Sequence, residues 1–100
     1  TLDMIKEKIS KNMKINVNEA LMVFCAHVVN ELRAHKFKNS IEKNASEILK
    51  AHQVMIGVPE TLKEITFEAI VDNLPKTVIS FVKPIPTSNY MLVTNSQEKE

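Results

Sequence analysis

The chain has 100 residues, enough for one domain with a modest core, and 44% of them are hydrophobic. Its 13 basic and 12 acidic residues give a formal net charge of +1, which argues against a dedicated nucleic-acid or anionic-membrane surface. A single cysteine excludes an intrachain disulfide, so we expect a cytoplasmic protein. The first ten residues do not resemble a signal peptide, and Thr1 in place of methionine indicates a processed start or a missing first segment.

Two amphipathic helices are predicted in the first third of the chain. The first has apolar residues about four positions apart, at Leu2, Ile5, Ile9 and Met13. The second is expected from about Asn18 to His35, with Asn16 or Asn18 as its N-cap and Glu19 near its positive end. Its main apolar face consists of Leu21, Phe24, Cys25, Val28 and Leu32.

The second helix contains an almost wholly apolar run, residues 21–29, whose sequence is LMVFCAHVV. This run is too short for a transmembrane helix, which needs roughly 20 apolar residues. Four of its apolar residues lie outside the main face: Met22, Val23, Ala26 and Val29. A helix that is apolar on several sides is buried on several sides, either by the rest of this chain or by a partner protein.

A third helix and a β-hairpin are predicted in the remainder. The helix spans residues 39–52, with capping-box spacing between Asn39 and Glu42 and an apolar face formed by Ile41, Ala45, Ile48 and Leu49. Gly57 and Pro59 indicate a turn. Alternating residues at 64–71 and β-branched residues at 76–82 predict two strands, joined by DNLP, in which Asn73 tolerates a positive φ. The predicted fold is therefore α+β, about three helices followed by a β-hairpin, with a domain at 1–86 and a partly flexible extension at 87–100.

Candidate chemistry is sparse. His27, Glu31 and His35 are spaced four apart along one flank of a helix, where they could bind zinc or nickel with a further ligand such as His52. We favour the alternative, in which these three residues only form the polar flank of an amphipathic helix. Cys25 is expected to be a small buried residue rather than a nucleophile, and the methionines are expected to fill gaps in the packing. With one glycine in the chain, phosphate-binding loops are excluded.

Five segments, taken in order, carry a resemblance to a known family: KINVNEAL, AHVVNELRAHK, ASEILKAHQVMIGVPE, EITFEAI and VISFVKPI. Together they resemble the small gamma-type subunit of urease over about residues 14–85. The matching positions are Lys14, Asn16, Glu19, Ala20, Arg33, Lys36, Val54, Met55, Gly57, Val58, Glu68, Ala69, Pro84 and Ile85. The resemblance implies a small α+β fold with helices before a hairpin.

The resemblance also implies a non-catalytic role. In that family the nickel ions and the acid–base histidines belong to the large subunit, and the gamma chain packs against it in a trimeric hetero-oligomer. We therefore expect no catalytic, cofactor-binding or metal-ligating residue in this chain. The implied function is that of a structural subunit of a urea amidohydrolase, with larger urease subunits as partners, no nucleic acid and no membrane span.

Several positions depart from the family's pattern. His52 and Gln53 replace an Asp-Asp pair, DNLP replaces an Asp-Gly turn, Val82 replaces a histidine, and His35 replaces a glycine. The first helix is also shorter than the family's. These departures leave open a diverged gamma-like chain that serves as an interaction subunit of an unrelated complex. A free-standing metal-binding protein is the third reading.

Overall fold

The computed structural model describes residues 1–87, and it confirms the α+β fold class. The helices are α1 (Leu2–Ser10), α2 (Val17–Arg33), α3 (Lys38–Lys43) and the short α4 (Val58–Thr61). Two single 3₁₀ turns, Ala45–Glu47 and Ala51–Gln53, lie between α3 and α4. The strands β1 (Glu64–Ala69) and β2 (Thr77–Val82) form an antiparallel hairpin. The predicted extension at 87–100 lies outside the described residues except for Thr87.

Asn16, one of the two N-caps that the sequence predicts for α2, caps the helix and forms a capping box with Glu19. The Asn16 Oδ1 atom accepts a hydrogen bond from the Glu19 backbone N–H at 2.8 Å, and Glu19 Oε1 accepts from the Asn16 N–H at 2.9 Å. The other Glu19 oxygen, Oε2, lies 2.6 Å from Lys8 Nζ, which ties α2 to α1. One carboxylate thus satisfies a helix terminus and links two helices. The Lys8 ammonium and the Asn16 N–H hold the pKa of Glu19 below its ordinary value of 4.5.

The core forms where one face of α2 meets the inner face of the hairpin. The buried residues of α2 are Ala20, Phe24, Val28 and Leu32, with exposed fractions between 0 and 7%. The Phe24 ring packs edge-on against Phe81 of β2 at 5.8 Å between centroids, and Phe81 packs in the same manner against Phe67 of β1 at 5.5 Å. These rings join the helical layer to the sheet.

The predicted inner face of α2 was wrong in part. Cys25 is exposed rather than buried, Leu21 is only half-buried, and Ala20 takes a fully buried place that the sequence prediction omitted. The helix also ends earlier than predicted, at Arg33. His35 adopts a left-handed conformation with a φ of 61°, which no α-helix accommodates.

The third predicted helix is broken into pieces. Only Lys38–Lys43 is α-helical, its N-cap is Phe37 without a side-chain cap, and the capping box between Asn39 and Glu42 does not form. Glu42 instead accepts a hydrogen bond from the Ser80 backbone N–H at 2.7 Å, so α3 is attached to β2. The predicted burial holds for Ile41, Ala45 and Leu49, whereas Ile48 is half-buried.

The segment that precedes α2 pairs with the segment that precedes α4. The Ile15 N–H donates to the Gln53 carbonyl at 3.1 Å, and the Met55 N–H donates to the Ile15 carbonyl at 2.9 Å. Gly57 then turns the chain with a φ of 94° and serves as the N-cap of α4, a conformation that favours glycine. Ile15 and Val54, the two residues of this bridge, are both buried in the core.

The hairpin has an unbroken register from Glu64 opposite Val82 to Ala69 opposite Thr77. Its connection contains one positive φ, at Asp72 rather than at the predicted Asn73. Asp72 Oδ2 lies 3.4 Å from Arg33 Nε, which places the hairpin turn beside the end of α2. Within residues 1–87, no helix is long and apolar enough to cross a membrane.

Candidate subunit interface

The side of α2 that faces away from the core is apolar as well. We call Met22, Cys25, Ala26 and Val29 the outer face of α2. At 3.6 residues per turn, Met22, Ala26 and Val29 point about 120–180° away from the centre of the buried stripe. Met22 is 44% exposed, Cys25 is exposed, and Ala26 and Val29 are half-buried. The rest of the described chain therefore leaves Met22 and Cys25 uncovered, whereas Val29 still packs in part against the core.

A second apolar face is more than one helix of a small monomer needs. The stripe from Ala20 to Leu32 already anchors α2 in the core, and the opposite side of a surface helix is ordinarily polar. Other large apolar side chains are exposed too, among them Phe37 at 83%, Ile56 and Ile70. Contiguous exposed apolar residues are typical of a surface that another protein covers.

The methionines do not fill gaps in the core as predicted. Met13, Met22 and Met55 are all exposed, and Met91 lies outside the described residues. An exposed methionine adapts its shape to whatever packs against it, because its side chain is unbranched and flexible. In the sequence, the outer face was indicated by the four apolar residues outside the predicted stripe of α2. Their pattern did not show which side of the helix is exposed.

The candidate metal ligands are not brought together. His27 and Glu31 are half-buried on α2, whereas His35 is exposed and lies beyond the end of the helix. The left-handed backbone at His35 breaks the four-residue spacing on which the hypothesis depended. No group of three or more histidine, cysteine, aspartate or glutamate residues among residues 1–87 could hold a metal ion. The donor set of the described chain therefore does not fit a nickel site.

Cys25 is poorly suited to act as a nucleophile. Partial burial raises the pKa of its thiol, so the neutral form is favoured near neutral pH. On a helix, His27 lies two positions away and points in a different direction. Cys25 contributes apolar surface to the outer face of α2 instead.

Within residues 1–87, a small α+β fold thus carries an apolar helix face that is partly exposed. The sequence profile of the family described as "Urease, gamma subunit" matches residues 2–85. The chain belongs to the urease gamma subunit family. This result confirms the family that the five sequence segments indicated.

Individual relatives support the same assignment. The urease subunit gamma of Halalkalibacterium halodurans is 31% identical over 67 residues, which are 67% of this chain and 67% of that protein. The urease subunit gamma of Saccharopolyspora erythraea is 31% identical over 64 residues, 64% of each chain. The urease subunit alpha of Helicobacter heilmannii is 34% identical over 68 residues, 67% of this chain but only 29% of its own length. The matched segment thus spans about two thirds of the gamma relatives and under a third of the longer one.

The structure explains one departure from the family's pattern. His35 stands where the family has a glycine, and its φ of 61° is a conformation that glycine adopts without steric cost. His35 therefore adopts, at a steric cost, a conformation that suits the family's glycine. The DNLP connection also contains a positive φ, at Asp72.

Proposed function

We propose that this chain is a non-catalytic gamma-type subunit that packs, through the outer face of α2, against a larger nickel-bearing subunit of a urease. Family membership supports association with other urease subunits. The match to a longer urease chain also supports it, because a segment like this one makes up 29% of that chain. We propose a trimeric hetero-oligomer in the cytoplasm.

The outer face of α2 carries the proposal. Its four residues lie on successive turns of one helix, so they form a continuous stripe about 10 Å long at 1.5 Å per residue. Burying a stripe of this kind against another protein is favourable by roughly 25 cal/mol for each Å² of apolar surface removed from water. The helix itself is fixed by its buried stripe and its capping box, so little conformational freedom is lost on binding.

The nickel belongs to the partner in this proposal. The described residues offer no group of ligands for the metal, and no step of urea hydrolysis is assigned to them. The role of this chain is to position and stabilise the assembly. We assign no catalytic, cofactor-binding or metal-ligating residue to it.

The test is co-expression of this chain with the other urease subunits from the same source, followed by purification through a tag on this chain. Met22→Glu and Cys25→Glu place a charge in the outer face, and each should weaken recovery of the large subunit about tenfold or more, because a charge is costly to bury in an interface. Asn39→Glu is the matched control, since it adds the same charge at an exposed position of α3.

The isolated variants should remain folded. Met22 and Cys25 are already exposed, and glutamate favours helix about as well as methionine and better than cysteine. A melting temperature within a few degrees of the wild type would show that the fold is intact. Undiminished recovery of the large subunit with both variants would contradict a role for the outer face. Recovery of an unrelated, nickel-free complex would contradict the urease function itself.

A further inference from the structure

The two edges of the hairpin differ. The outer edge of β2 is bonded at its centre to α3, whose Glu42 carboxylate accepts a hydrogen bond from the Ser80 backbone N–H at 2.7 Å. This bond shows that the Ser80 N–H points away from β1. Ser80 pairs with Thr66 in the register, so this is a pair in which both residues direct their backbone N–H and C=O groups outward.

The same alternation defines the free edge of β1. Outward-directed groups recur at every second residue of a strand, so Glu64, Thr66 and Glu68 present their N–H and C=O groups to the side away from β2. Among residues 1–87, none of these three N–H groups has an acceptor, and all three side chains are exposed. No proline or bulge interrupts the strand. The free edge is therefore able to accept another strand.

Burial supports the open edge. In the central pair of the hairpin, Ile79 of β2 is completely buried, whereas its partner Phe67 on β1 remains partly exposed. The core is thus less completely covered at Phe67, although Ile65 of β1 is buried. A two-stranded hairpin is also marginal by itself, and a third strand would complete the sheet.

Charge decides which strand fits. A second copy of β1 in the fully overlapped antiparallel arrangement would place Thr66 opposite Thr66 and Glu64 opposite Glu68 twice, and like charges directly opposite each other are destabilising. Glu64 has no ion pair within the described part of the chain, and Glu68 has only a loose one with Lys76 at 3.7 Å, in which both groups are exposed. Lysine or arginine side chains on an added strand would pair with both glutamates.

We propose that an extended segment of a neighbouring urease subunit, with basic residues opposite Glu64 and Glu68, adds to β1 as a third strand. The partner's identity rests on the function proposed above, whereas the open edge and its charge rest on the hairpin alone. Main-chain hydrogen bonds to Glu64, Thr66 and Glu68 provide the attachment, and the two carboxylates select the sequence.

Hydrogen exchange tests the proposal at single residues. In the isolated chain, the outward amides of Glu64, Thr66 and Glu68 should exchange fast while those of Ile65 and Phe67 are protected. In the complex with the co-expressed urease subunits, the three outward amides should slow by at least about tenfold. Equally fast exchange in both states would overturn the added strand while leaving the subunit function intact. Failure of the chain to join any urease subunit would overturn both.

Proline variants provide a matched pair. Thr66→Pro removes an outward N–H from the free edge of β1, and Val78→Pro removes one from the opposite edge of the hairpin, on β2, where Val78 pairs with Glu68. Neither N–H bonds across the hairpin, so both chains should fold. In the complex, only Thr66→Pro should abolish the slowed amide exchange at Glu64 and Glu68. Glu64→Lys, which reverses a charge on the free edge, should weaken assembly about tenfold. If the outward amides of β1 exchange slowly in the isolated wild-type chain and that chain forms a dimer, two copies of β1 pair with each other, and the proposal is overturned.

Discussion

Replacing Phe24 by alanine tests the account of the core most severely. The Phe24 side chain is completely buried and connects α2 to the hairpin through its edge-on contact with Phe81. Truncation of a buried phenylalanine costs about 3–5 kcal/mol, which includes the cavity that remains. The lost aromatic contact accounts for about 0.5–1.5 kcal/mol beyond burial. The free energy of unfolding of a small domain is about 5–15 kcal/mol, so Phe24→Ala should leave a chain near the limit of folding.

Urea denaturation followed by circular dichroism measures the loss. Met22→Ala, two positions away on the exposed side of the same helix, should change the free energy of unfolding by no more than about 0.5 kcal/mol. Phe24→Leu should fall between the two, at about 1–2 kcal/mol, and it remains measurable if Phe24→Ala does not fold. A loss for Phe24→Ala equal to that for Met22→Ala would refute the assignment of the inner and outer faces of α2.

Three further predictions concern local features. Asn16→Ala should destabilise the chain by about 1 kcal/mol in urea denaturation, and Asn18→Ala, which removes no capping bond, should have little effect. Because folding lowers the pKa of Glu19, its contribution to stability is present above its ordinary pKa of 4.5 and is lost as the pH falls through the lower, folded pKa. Lys8→Met should flatten the fall of the stability curve below pH 4.5, and an unchanged curve would contradict the ion pair. His35→Gly should raise stability by up to about 1 kcal/mol, because glycine relieves the left-handed strain at this position, and a destabilised variant would contradict the assigned φ.

Features set by neighbours in the sequence were predictable. Asn16 and Glu19 are three positions apart, so both bonds of the capping box form within one turn of helix, whatever the rest of the chain does. The alternation from Glu64 to Ala69 matches the period of a strand, and the buried Ile65 confirms which side faces inward. The family could also be assigned from the sequence, because the resemblance depended on short segments that occur in the same order as in the family.

Features set by distant contacts were not predictable. Glu42 has the spacing of a capping residue, but its partner is the Ser80 N–H, 38 positions further along the chain. The orientation of α2 could not be read from its sequence, since a helix that is apolar all round offers several possible inner faces. Packing against Phe81 selected the face with Ala20 and Phe24 and left Cys25 exposed. The family's glycine at the position of His35 was a usable signal for the left-handed residue.

The most direct test of the central claim is a native pull-down of the unmodified chain from its own source, with mass spectrometry of its partners, nickel analysis and a urea hydrolysis assay on the eluate. The account predicts recovery of a large nickel-bearing subunit, with hydrolytic activity in the complex and none in this chain by itself. Recovery of a complex without urease subunits or nickel would contradict the proposed function and leave only the fold and the family.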